Sequence, residues 1–191
     1  MNFYIKSPLP RIVFSPLFFI MVLLSIYTSA EGAKSIDYYT DPQAIIEKIS
    51  KEGAYKIVWE LFENTDIWGW IMKKISSGEE EWLKVAVALS PGTDAHAGET
   101  LFSALGEALV KAPNKVLTLF SDDFSIKAIC SCPDVDDPRF DTKSKNLKEL
   151  EKRKKTVLSL SDKKLKSVQE QCLKALEESR REVSEWFDAQ K

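Results

Sequence analysis

Residues 165–187, LKSVQEQCLKALEESRREVSEWF, decide the fold class of this chain. Leu165, Val168, Cys172, Ala175, Leu176, Val183 and Phe187 recur at intervals of three, four or seven. That spacing places them on one face of a long helix, with Lys, Arg, Glu and Gln covering the rest. A helix so charged on its outer side and so narrow on its inner side has to lie against something larger. Cys172 sits on the inner face, so a covalent staple to the body would hold the helix there.

The other two cysteines, Cys130 and Cys132, flank Ser131 about forty residues upstream. Disulfide geometry disfavours a bond between cysteines one residue apart. The natural pairing is therefore Cys172 with Cys130 or with Cys132. Cys130 is the favoured partner, because it continues the apolar run Ile126, Ala128, Ile129 and should point inward. Closing such a loop is worth roughly 3–4 kcal/mol on the chain-entropy model. The remaining cysteine is a spare thiol.

Upstream of the cysteines, helix signals recur and strand signals are nearly absent. Thr40-Asp41-Pro42-Gln43 predicts a capped helix start burying Ile45, Ile46 and Ile49. After Gly53, Ile57, Val58, Leu61 and Phe62 mark a second helix. Thr65-Asp66 opens a third with Ile67, Trp68, Ile71, Met72 and Ile75. Ser77-Gly78-Glu79-Glu80 reads as a stop and a capping box for a fourth, with Trp82, Leu83, Val85, Ala86 and Leu89. Residues 90–94, SPGTD, are a break whose Thr93 or Asp94 caps a fifth helix over residues 95–111. Pro113 starts a sixth. Residues 131–143 are rich in Asp and Pro and read as an acidic loop, followed by a charged helical hairpin over 144–191. The expectation is an all-α fold: a compact stack of short antiparallel helices, loosely HEAT-like, closed by a long C-terminal helix.

The N-terminus differs from all of this. Lys6 and Arg11 precede an apolar run over residues 12–27, and Thr28-Ser29-Ala30 supplies small residues for cleavage. This is the pattern of a signal peptide over residues 1–30, leaving one domain over 31–191 in the periplasm or outside the cell. The run is short of the roughly 20 residues a membrane span needs, so membrane contact is expected only through this segment if it stays uncleaved. The whole chain has 27 basic and 29 acidic residues. Nothing in that balance suggests a nucleic-acid partner. The charge is uneven, however: residues 31–140 hold 11 Lys/Arg against 19 Asp/Glu, and residues 141–191 hold 14 against 10. The bland reading of the basic tail is a pair of solvated helices.

A resemblance rests on residues 68–119. Ile75-x-x-Gly78, Trp82-Leu83-x-x-Ala86, Pro91-Gly92-Thr93-Asp94-Ala95, Glu99-Thr100-Leu101 and Val116-Leu117 resemble a block in small exported helical proteins of bacteria. There a similar block precedes a cysteine and a closing helix. That family has no assigned activity, so the resemblance implies export and a helical fold only. The shape, a helical domain with one disulfide, is also similar in architecture to periplasmic immunity proteins.

Candidate chemistry is sparse. His96 is the only histidine, which excludes mechanisms and metal sites needing two. Asp94, His96 and Glu99 could supply metal ligands, but Asp94 reads more simply as a helix cap and Glu99 as favouring the helix dipole. Cys130-Ser131-Cys132 lacks the two-residue spacing and βαβ surroundings of thioredoxin-like redox sites. Asp134, Asp136, Asp137 and Asp141 suggest a calcium loop, but the central Gly and terminal Glu are missing. Ser161-x-x-Lys164 has none of the companion motifs of a serine acyl-enzyme. No catalytic residue, metal or cofactor is assigned. Of the five tryptophans, Trp59, Trp68, Trp70, Trp82 and Trp186, most belong to the expected core. Trp68 and Trp70 point to different faces of one helix, which makes Trp70 the expected exposed contact. The functional expectation is a non-enzymatic domain that engages a protein partner through Trp70 and the acidic Asp134, Asp136 and Asp137, as an inhibitor or immunity protein would. The alternatives are an envelope enzyme using the spare thiol or a His96-centred metal, and a structural envelope component.

Overall fold

The computed structural model describes residues 39–120, 122–131 and 137–190. The signal segment, Cys132, Asp134 and Asp136 lie outside the described residues.

The described chain is all-helical: α1 Pro42–Glu52, α2 Ala54–Glu63, α3 Thr65–Ile75, α4 Glu80–Leu89, α5 Ala95–Lys111, α6 Pro113–Leu119, α7 Asp123–Ile129, α8 Lys143–Leu158 and α9 Lys166–Ala189. Short 3-10 turns at Ser90–Gly92 and Lys163–Leu165 precede α5 and α9. No described helix is long and apolar enough to cross a membrane.

Caps fix where these helices begin. The Asp41 carboxylate accepts the Gln43 N–H at 2.9 Å with Pro42 already in helical geometry. Asp94 accepts the Ala97 N–H at 3.0 Å, and Thr142 accepts the Lys145 N–H at 3.3 Å. Each satisfies a backbone donor that the first helical turn leaves open. Two starts differ from the expectation. Asn64, one residue before Thr65, caps α3 by accepting the Ile67 N–H at 3.2 Å. No capping box forms at α4: its N-cap Glu79 makes no side-chain cap, and Ser77 Oγ accepts the Glu79 N–H instead.

The apolar stripes then choose the packing. α5 is the hub, lying against α3, α4, α6, α7 and α8. Leu101, Leu105, Ala108 and Leu109 are fully shielded from water on its inner side. α1 packs on α4, and α2 packs on α1, α3 and α4. Among the described residues the core cluster runs from Tyr39 to Val183, within the compact unit from Tyr39 to Lys191. Trp68, placed inside by periodicity, is buried and donates its indole N–H to Thr100 Oγ1 at 2.8 Å.

The closing hairpin is held differently. α8 and α9 pack along each other, and α9 rests on α7. Cys130 and Cys172 form a disulfide with Cα atoms 5.3 Å apart and both residues fully buried. This is the pairing favoured from the apolar run before Cys130, and a staple of this kind belongs to an oxidising compartment. Beside it, Arg153 of α8 is only 1% exposed. Its Nη1 donates to the Ser131 and Ile129 carbonyls at 3.0 and 3.3 Å, and its Nε meets Glu149 Oε1 at 3.3 Å. A guanidinium can serve orphan carbonyls at a helix end in this way because its donors diverge in a fixed plane. Its room comes from Gly106 on α5, where a Cβ would fall 2.5 Å from Nη1.

Candidate functional site

The face that stands out is on α2. Ile57, Val58 and Leu61 turn inward, which sends residues 55 and 59 to the opposite side, one helical turn apart. Tyr55 is 70% exposed and Trp59 51% exposed. Half-buried Phe62 continues the stripe and meets the Trp68 ring edge to face at 5.6 Å. A shallow dimple beside these rings is lined by Val58, Gly92, Asp94 and Ala97.

The α2 face is held in position by backbone contact. The turn at Ser90–Gly92 packs directly on the start of α2. A Cβ at Gly92 would lie 2.3 Å from the Ala54 carbonyl carbon and 2.5 Å from the Tyr55 nitrogen. Only glycine permits this approach, which gives the Pro91-Gly92 pair a packing reason beyond ending α4. On the other side, Lys48 of α1 donates to Glu60 Oε1 and to the Tyr39 hydroxyl, each at 2.6 Å, and Tyr39 donates to Glu60 at 2.6 Å. The hydrogen bond from Lys48, with that from Tyr39, holds the Glu60 carboxyl below its usual value.

The expected contact residues are distributed otherwise. Trp70 is half-buried, its ring edge to face on Trp82 at 5.1 Å, with Lys74 Nζ 5.4 Å from its centroid. The exposed indoles are instead Trp59 and Trp186, whereas Trp70 was the one expected to be exposed. For Trp59 the signal was present, since the residues at 57, 58, 61 and 62 leave 59 on the far side. Asp137 is held by Arg139, whose guanidinium bonds both its oxygens and also reaches Glu107 of α5 at 2.7 Å. These bonds from Arg139 keep the Asp137 carboxyl below its ordinary value. The described end of the acidic loop is therefore pinned to α5.

Two open clefts flank the outer face of α5. One, of about 650 Å³, lies at its N-terminal end, bordered by Thr93, Asp94, Ser131 and Arg153. The other, of about 750 Å³, runs over Trp68, Met72 and Lys111 toward Arg139. Glu99 and Ser103 border both. His96 is exposed and lines neither, so Asp94, His96 and Glu99 do not converge. Among the described residues no three His, Cys, Asp or Glu side chains assemble as a metal site.

No protein-family model matches the chain, no curated protein is significantly similar to it, and no solved structure matches it.

Proposed function

We propose that this chain is a non-enzymatic, exported helical domain that binds another protein, with an inhibitor or immunity-type role as one concrete form. The observation that carries the reading is the pair Tyr55 and Trp59, two large aromatic side chains left exposed one turn apart on a rigidly seated helix. Tyr and Trp are enriched where protein interfaces concentrate their binding energy, because they offer large contact area at small entropic cost. The contact centre is thus on α2, with Asp94 at its rim. Trp70, and separately the acidic Asp134, Asp136 and Asp137, are the alternative contacts. The buried disulfide supports the exported setting.

The test is co-purification of the oxidised domain from the envelope and secreted fractions of the producing cell. A stoichiometric partner retained by the parent and lost by Tyr55→Ala/Trp59→Ala supports the assignment, with a loss of about 2 kcal/mol or more at Trp59. Loss on Trp70→Ala or on charge reversal at Asp134, Asp136 and Asp137, with the α2 variants unaffected, moves the contact to the residues so changed. A partner indifferent to all of these changes, or no partner for the folded domain, sinks the reading.

A further inference from the structure

We propose that the tip of the C-terminal hairpin docks on an anionic lipid bilayer. Residues 152–166, KRKKTVLSLSDKKLK, span the end of α8, the connecting turn and the start of α9. They hold seven basic residues and a single acidic one, Asp162, in a chain whose total charge is −2. Arg153 is buried, and Lys152, Lys154 and Lys155 pair with Glu149, Glu177 and Glu151. Lys163, Lys164 and Lys166 are exposed and make no ion pair with any described residue. Asp162, whose carboxylate caps the Lys164 N–H at 2.9 Å, can offset only one of these three charges.

At the centre of this positive end Leu158 is 55% exposed. Leu119, a second exposed leucine, ends α6, which packs against the Lys163–Leu165 turn. Like charges crowded together and leucines in water are both unfavourable for the isolated fold. An anionic membrane surface relieves both at once: the lysines gain the negative headgroup potential, and the leucines enter the interface. A soluble polyanion would serve the lysines and leave the leucines in water. An acidic protein would need a groove or aromatic anchor, and the clefts and the exposed Tyr55–Trp59 pair belong to α5 and α2 instead. The surface is distinct from the α2 face, so either can fail without the other.

The experiment is co-sedimentation of residues 31–191, oxidised, with vesicles of phosphatidylglycerol and phosphatidylcholine in equal parts, and with phosphatidylcholine alone, at low and high salt. The domain should bind the anionic vesicles only, and binding should fall as salt screens the lysines. Lys163→Glu/Lys164→Glu/Lys166→Glu should weaken it by about 100-fold or more. Leu158→Ser should weaken it about three- to tenfold with the salt dependence unchanged. These are exposed positions, and retained helicity by circular dichroism separates lost docking from lost folding. Absence of binding to anionic vesicles, or equal binding to neutral ones, overturns the proposal. So does a Leu158→Ser variant that binds like the parent while heparin competes fully, since that pattern describes a polyanion site.

Discussion

The body from α1 to α7 and the hairpin of α8 and α9 are both helical, yet they are held by different forces. The body closes on large apolar stripes. α3 alone buries Ile67, Trp68, Ile71, Met72 and Ile75, and α5 supplies small residues that let neighbours approach. α8 buries Asn146, Leu150, Arg153 and Val157, two of which are polar. Asn146 donates to the Phe140 carbonyl at 2.7 Å, and Gln169 of α9 donates to the Val157 carbonyl at 2.7 Å. Apolar burial is tolerant of small rearrangements, whereas a buried polar contact is worth little unless its geometry is kept. The body should therefore be robust, and the hairpin specific but brittle, with the disulfide making up for its thin stripe.

The strongest way to break this contrast is to remove the staple. Cys130→Ala/Cys172→Ala should cost about 4 kcal/mol on the chain-entropy model for a loop of this length. The loss should be regional: amide exchange should rise first in α8 and α9, while α3 and α5 keep their protection. Equal exposure of both regions would mean that the hairpin and body form one cooperative unit.

A smaller effect is expected at the Gly106–Arg153 contact. Gly106→Ala should cost about 1–3 kcal/mol, because the new methyl group displaces a buried guanidinium. In an Arg153→Met background most of that cost should vanish, since the flexible thioether can give way. Chemical denaturation of the double-mutant cycle measures this coupling, and additive costs would show that Arg153 is not what Gly106 accommodates. Gly92→Ala probes the body by comparison. Its methyl group meets the α2 backbone, so a loss of about 1–3 kcal/mol should come with a changed Trp59 fluorescence.

The smallest effect is acid dependence at the junction of the two regions. The Asp137 carboxyl lies below its ordinary value of 3.8 when folded, because Arg139 bonds it. A lowered carboxylate contributes stability that is complete above the unfolded value and is lost as pH falls through the folded one. The segment around Arg139 should thus loosen only below about pH 4, and Asp137→Asn should flatten that response. Thermal melts across the acid range, parent against variant, read the difference. A parent insensitive to acid would assign the pair no role in joining the hairpin to α5.

What could be read in advance follows the same division. Periodicity locates the helices of the body, because their buried stripes repeat in the sequence, and capping chemistry narrows the start of α5 to Thr93 or Asp94, of which Asp94 is the cap. Cys130 was favoured because it prolongs an apolar run. Arg153 is not legible in the sequence: in the segment EKRKK it looks like one more solvated charge, and only the tertiary placement of the Ile129 and Ser131 carbonyls gives it a buried task. The exposed face of α2 was legible in principle, since residues 55 and 59 fall opposite the stripe of 57, 58 and 61.

The staple also sets an order of events. Cys130 leaves the ribosome, and any export channel, well before Cys172, and in that interval the only nearby thiol in sequence is Cys132. A bond between those two neighbours is geometrically poor, so Cys130 has no good partner until α9 has been delivered. The hairpin cannot be locked down until Cys172 itself has emerged. Its closure is thus a late event relative to α1–α8, and a chain interrupted before Cys172 lacks the covalent fastening of α9 to the body.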